Sequence, residues 1–235
     1  MKSDPMRYSL IPFLALTLLS LHVSAQPAET ASASSRKATL LSLGEDIRDL
    51  YVRSGEEPRL LRIPASRIPA PVELKPDEDG LFTFFRKQEG ENGETTWIPT
   101  GRVSIPEPLD HPLLLFLPSR NAETPYRILP FEFSATSFPG GSFFLINLTG
   151  KDVKGRIGES PVILPAGNTR NLKPANSDRT LEVLFLYADA QERDALLTTT
   201  WFYNPRHRYL VFLYPDIENR DRVGIRTIRN FPSQK

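Results

Sequence analysis

The sequence predicts an all-β protein made of two tandem immunoglobulin-like β-sandwich domains related by internal duplication. Three observations carry that expectation. Past residue 40 the chain is a series of short runs, among them "LFTFFRK", "GRVSI", "LLLFL", "SFFLINL", "LEVLFLY" and "YLVFLY", rich in β-branched and aromatic side chains as strands are. The 22 prolines fall mostly between these runs, where a missing N–H costs no ladder bond. Finally, phrases of one half return in the other in the same order.

Taken from the N-terminus, residues 1–25 read as a secretory signal. Lys2 and Arg7 give a positive start, "SLIPFLALTLLSLHV" is an apolar core, and Val23-Ser24-Ala25 offers small residues for cleavage. The core is about 15 residues, short of the roughly 20 that span a bilayer as a helix. Residues 26–40 begin with the polar "QPAETASASSRK" and read as a disordered leader. The expected location is periplasmic or secreted after cleavage near Ala25, without stable membrane insertion.

A first sandwich is expected over 41–133, a linker over 134–141 with Pro139-Gly140-Gly141 as its breaker, and a second sandwich over 142–235. Two stretches have a composition that also suits helix: "TLLSLGEDIRDLY" (Thr39 to Tyr51), and "DAQERDALL" (Asp189 to Leu197), which fits a turn or two of helix or a polar hairpin loop. The recurring phrases run "LRIPA", "ELKP", "LFTFF", "TTW", "HPLLLFLP" in the first half and "VILPA", "NLKP", "LEVLFLY", "TTW", "HRYLVFLYP" in the second. Aligned this way, Trp97 matches Trp201 and His111 matches His207. Each tryptophan is expected in the core of its sandwich, and each histidine at the entrance of one strand position. "RYLVFLY" is apolar on both alternating faces, so its strand is expected at the centre or under the other domain.

Composition excludes several chemistries. Losing residues 1–25 removes Lys2, Arg7 and Asp4, which takes the formal charge from +1 to zero, so nucleic acid is not an expected partner. The chain has no cysteine, hence no catalytic thiol, thiolate metal site, disulfide or acylated anchor. Once the signal with His22 is removed, His111 and His207 are the only imidazoles, no G-x-S-x-G elbow occurs, and "FPGGS" precedes a strand rather than a helix. The acidic loops "KPDEDG" and "YPDIENRDRVG" depart from the calcium-loop pattern: from Asp216, the sixth residue is Asp221 and the twelfth Thr227. They read as turns. No catalytic residue, metal ligand or cofactor is expected.

The string "SFPGGSFFLINLTGKDVKGRIGESPVILPAGNTRNLKP", followed by "TTTWFYNPRHRYLVFLY", resembles a group of exported bacterial β-sandwich proteins with an F-P-x-G-S-x-x-F-x-N-L-[ST]-G phrase. The resemblance covers most of the mature chain, closest from Phe138 to Tyr214. It implies an envelope location and β-architecture, with no activity or site residue to carry over. The expected function is a non-catalytic binding or scaffold protein of the bacterial envelope, whose partner is another envelope protein or a glycan. The alternative is a carbohydrate-binding module or an accessory subunit of a polysaccharide-handling or secretion system. Tyr203, Tyr209, Tyr214, Arg222 and Arg226 are the residues expected to line its surface. "RDRVGIRTIRNF" reads foremost as a charged edge strand.

Overall fold

The computed structural model describes residues 34–53, 58–175, 178–215 and 223–230. The expected signal, most of the leader, the acidic loop after Pro215 and Arg222 lie outside the described residues.

Among the described residues sixteen strands form four four-stranded sheets, an all-β, sandwich-like architecture. In the first half, β1 (Arg36–Ser42), β4 (Val72–Leu74), β7 (Pro112–Pro118) and β8 (Tyr126–Glu132) make one sheet, ordered β4-β1-β7-β8. Its partner sheet is ordered β3-β2-β5-β6, from β2 (Ile47–Arg53), β3 (Pro58–Ile63), β5 (Phe82–Glu89) and β6 (Thr95–Val103). In the second half, β9 (Phe143–Asn147), β12 (Thr169–Leu172), β15 (Arg208–Pro215) and β16 (Val223–Asn230) are ordered β12-β9-β15-β16. There β10 (Val153–Ile157), β11 (Ser160–Leu164), β13 (Thr180–Tyr187) and β14 (Leu197–Phe202) are ordered β11-β10-β13-β14. Each order of the second half is that of the first with eight added to every strand. Each half also has one parallel pair, β1 with β7 and β9 with β15.

Three apolar cores separate the four sheets. One lies within the first half, around Leu50, Phe84, Leu114 and Phe116, and another within the second, around Phe143, Val183, Phe185 and Val211. The third joins the halves: Leu41, Leu113 and Leu115 meet Phe144, Ile146, Leu210 and Phe212. A sheet covered on both faces needs apolar side chains at successive positions, not alternate ones. That is why "PLLLFLP" and "RYLVFLYP" are continuous apolar runs, and the expectation of a doubly covered strand holds. The stretch 134–141 is no free spacer, because Phe138 in it is fully buried in the shared core.

Two local expectations change. Thr39 to Tyr51 is not helical: it is the end of β1, a turn and β2, with Arg36–Leu40 already strand inside the expected leader. Leu40 and Leu41 face opposite cores, so burial on both sides of a sheet outweighs helix propensity. Asp189 to Leu197 is a hairpin loop with one 3-10 turn, Glu192–Asp194, none of whose residues is buried.

Candidate functional site

Hydrogen bonds fix how the two halves correspond, residue by residue. Leu43 N–H donates to Phe116 O at 3.0 Å, and Leu148 N–H donates to Leu213 O at 2.7 Å, so Phe116 answers to Leu213. The Asp46 carboxylate accepts from Ala65 N–H at 2.8 Å, and the Asp152 carboxylate from Ala166 N–H at 2.9 Å. The Pro-Ala phrases are therefore equivalent in geometry as well as in letters.

The other two prominent echoes are not. Counting back from Phe116 and Leu213, His111 answers to Arg208, one residue out of step with the sequence alignment. The alignment on histidine would pair Leu114, which faces the first-half core, with Leu210, which faces the shared core. A one-residue slip inverts every face of a strand. Both histidines do stand just before corresponding strands, β7 and β15. His111 is exposed, and His207 is half-buried with its carbonyl accepting from Gly141 N–H at 2.6 Å.

The tryptophans differ more. Trp201 lies opposite Leu181 and faces the core, while Val103, opposite Phe82, is its counterpart in the first half. Trp97 lies near the start of β6, opposite Lys87, on the outer face. The expectation that both tryptophans fill sandwich cores is corrected for Trp97. Its strand is an edge strand with the core on one side only, and Thr100, Gly101 and Val103 supply that side.

The residues expected at the surface are mostly occupied inside. Tyr203 and Tyr209 are 7% and 2% exposed. They join Phe143 and Trp201 in an aromatic stack, with the Phe143 and Tyr209 centroids 4.6 Å apart and 15° from coplanar. Tyr203 donates its phenol to Gly141 O at 3.1 Å, and the Tyr209 phenol accepts Asn204 N–H at 2.7 Å. Burial pushes both phenols up, Tyr203 further through Tyr209. Tyr214 is half-buried, with its ring lying over Gly224. Arg226 is spent on the carbonyls of Leu43 and Gly44, at 2.5 and 3.0 Å, and so ties β16 to the first half. The surface role expected for Tyr203 and Tyr209 is therefore corrected, because apolar alternation turns both rings inward. As expected for the C-terminal segment, β16 is an edge strand.

A cluster of half-buried aromatic rings lies on the outer face of β3-β2-β5-β6, whereas Phe202 of β14 stands alone at 79% exposed. Pro99, Phe85, Tyr51 and Leu60 stand opposite one another across the four strands and form one row. Their neighbours Leu50, Val52, Leu61 and Phe84 fill the core, so alternation turns this row outward. Tyr51 and Phe85 are half-buried, while Leu60 is 47% exposed. Trp97 sits edge-on to Tyr51 with centroids 4.9 Å apart, and the Arg53 guanidinium lies 5.2 Å from the Phe85 centroid. Leu60 also lines a cleft of about 440 Å³ at the β3 edge, together with Arg48, Arg62 and Arg67. Sequence reasoning missed this surface, although "LYVR" carries its signal: Leu50 and Val52 inward leave Tyr51 and Arg53 outward.

No cation centre accompanies it. Among the described residues, no group of three or more His, Asp or Glu side chains converges. In the acidic loop at Asp77, the carboxylate already accepts Leu81 N–H at 2.8 Å, Asp79 N–H at 3.2 Å and the Thr83 hydroxyl at 2.8 Å. Burial works to raise the Asp77 carboxyl, but these bonds and Arg102 hold it below the ordinary aspartate value. Compared with family models and with curated proteins, the chain matches none.

Proposed function

We propose that the protein is a non-catalytic, exported binding or scaffold component of the bacterial envelope, and that it engages its partner through the outer face of β3-β2-β5-β6. The observation that carries this reading is the row Pro99-Phe85-Tyr51-Leu60 with Trp97 beside it: half-buried aromatic rings gathered on the outer face of a sheet. Burial of such rings on binding brings large apolar area at little entropic cost, since the strands already fix their directions. The secretory pattern of residues 1–25 supports export.

Two tandem immunoglobulin-like domains arising by internal duplication are part of the proposal. The matched strand orders and the paired aspartates Asp46 and Asp152 support duplication. The Tyr209 phenol, bonded to the backbone five residues upstream at the start of β15, supports an immunoglobulin-like corner.

A carbohydrate-binding role is the second reading, favoured by the outward position of Trp97. Immobilised mature protein should retain a ligand from envelope extracts, and Y51A/W97A should lose it while F202A, on the outer sheet of the second half, keeps it. Equal retention by both variants would contradict the assignment of the face.

A further inference from the structure

We infer that this face binds an acidic polysaccharide, laid across the strands along the Pro99-Phe85-Tyr51-Leu60 row with its carboxylates toward flanking arginines. The inference rests on the outer face being the recognition surface.

Three features point to that ligand. The first is the shape of the apolar strip. Strands about 4.8 Å apart make a four-strand row about 14 Å long and one side chain wide. This suits a chain of linked sugar rings, which offer apolar C–H faces to aromatic rings, better than a broad protein surface.

The second is charge. Two residues along each strand from the row, at about 7 Å, stand Arg53 on one side, where Asp77, Glu78 and Asp79 line the same cleft, and Lys87 and Arg62 on the other, so the cationic side is that of Arg62. Lys87 is occupied by Glu89 at 2.7 Å, and Arg48 lies 3.6 Å from Asp46. Among the described residues, neither Arg62 nor Arg67 has a carboxylate within ion-pair distance. The cleft at the Leu60 end is thus lined by three arginines and the single carboxylate of Asp46, which accepts from Ala65 N–H and lies near Arg48, leaving Arg62 and Arg67 in excess. An excess of positive charge favours an anion there, and planar guanidiniums match carboxylates with paired hydrogen bonds.

The third is the contrast with the matching face of the second half. There Arg156 is paired with Glu182 at 2.8 Å and Lys154 donates to Ala188 O at 2.7 Å. Pro161, Arg156, Leu184 and Thr198 stand opposite one another in the corresponding row, which holds no aromatic ring, and the exposed Ile163 and Phe202 lie outside it. Cations on that face are satisfied internally, whereas Arg62 and Arg67 face solvent.

The test is affinity electrophoresis of the full mature chain in gels containing polygalacturonate, dextran or no polymer. The expected result is retardation by polygalacturonate and not by dextran, reduced at least tenfold in apparent affinity by W97A and by R62E/R67E, unchanged by F202A, and weakened at high salt. Circular dichroism and thermal melts establish that each variant is folded, and R62K/R67K should retain part of the affinity because charge persists without the planar fork. Equal retardation by dextran and polygalacturonate, lost in W97A, would overturn the acidic ligand while leaving the face as a binding surface. Retardation by polygalacturonate that survives both W97A and R62E/R67E would overturn the inference and the assignment of the face together. No retardation by either polymer, with a protein still captured through Tyr51 and Trp97, would overturn the glycan alone.

Discussion

The two halves share a strand order and both bury aromatic rings, Phe82, Phe84 and Phe116 in the first, but they differ in where the others stand. In the second half Phe143, Trp201, Tyr203 and Tyr209 stack inside the sandwich, with hydroxyls bonded to backbone at its end. In the first, Tyr51, Phe85 and Trp97 stand on the outer face, and the core beneath is made of Leu50, Val52, Leu61 and Phe84. One framework therefore supports two uses of the same side chains: closing a core, and offering a surface. Inner-facing positions answer to packing, which both halves must satisfy. Outer-facing positions are free of it and can diverge.

The largest expected effect comes from reversing the roles. Phe143→Ala opens a fully buried site and should cost about 3 to 5 kcal/mol, whereas Trp97→Ala should cost no more than about 1.5 kcal/mol, the order of an edge-to-face pair. Urea denaturation of the two variants checks this. Comparable losses would mean that Trp97 is core in solution.

A smaller effect tests the correspondence of the halves. Asp46→Ala and Asp152→Ala each strand one backbone N–H, of Ala65 and Ala166, and should each cost about 1 to 3 kcal/mol. Similar shifts of the denaturation midpoint would sharpen the match; a large shift in one alone would break it. Below that stands Tyr209→Phe, which removes the acceptor of Asn204 N–H and should cost about 1 kcal/mol by the same measurement.

The smallest effect is acid sensitivity within the first half. Burial tends to raise the Glu132 carboxyl, but hydrogen bonds from Ser134 and from His111 N–H, with the His111 charge, hold it below the ordinary glutamate value of 4.5. A depressed carboxyl contributes stability that is complete above 4.5 and is lost as pH falls through the lower folded value. Glu132→Gln should therefore be less stable than the parent near neutrality, with the gap closing below pH 4.5. A gap constant with pH would remove the carboxylate from the account.

What was legible in the sequence follows the same division. Continuous apolar runs at Pro112–Pro118 and Arg208–Pro215 announced strands covered on both faces, because only a doubly buried sheet requires them. The Pro-Ala phrases correspond in structure as they do in letters, since an aspartate contact to the alanine N–H holds each. The histidine and Thr-Thr-Trp echoes misled for a physical reason. The histidine echo is one residue out of step, which puts side chains on opposite faces, and the Thr-Thr-Trp echo falls six residues from the true counterpart, Val103; letters alone carry no face. Tyr203 and Tyr209 were read as outward for want of that information. The aromatic row was hidden because its members come from four strands, and only register brings Pro99, Phe85, Tyr51 and Leu60 together.

The chain contains only two tryptophans, which allows each half to be reported separately. In W201F the fluorescence comes from Trp97, and in W97F from Trp201. Acrylamide should quench Trp97 more readily than Trp201, and polygalacturonate should then shield Trp97 and leave Trp201 unchanged. Equal quenching of the two, or shielding of Trp201 in place of Trp97, would contradict the proposal that this outer face is a recognition surface.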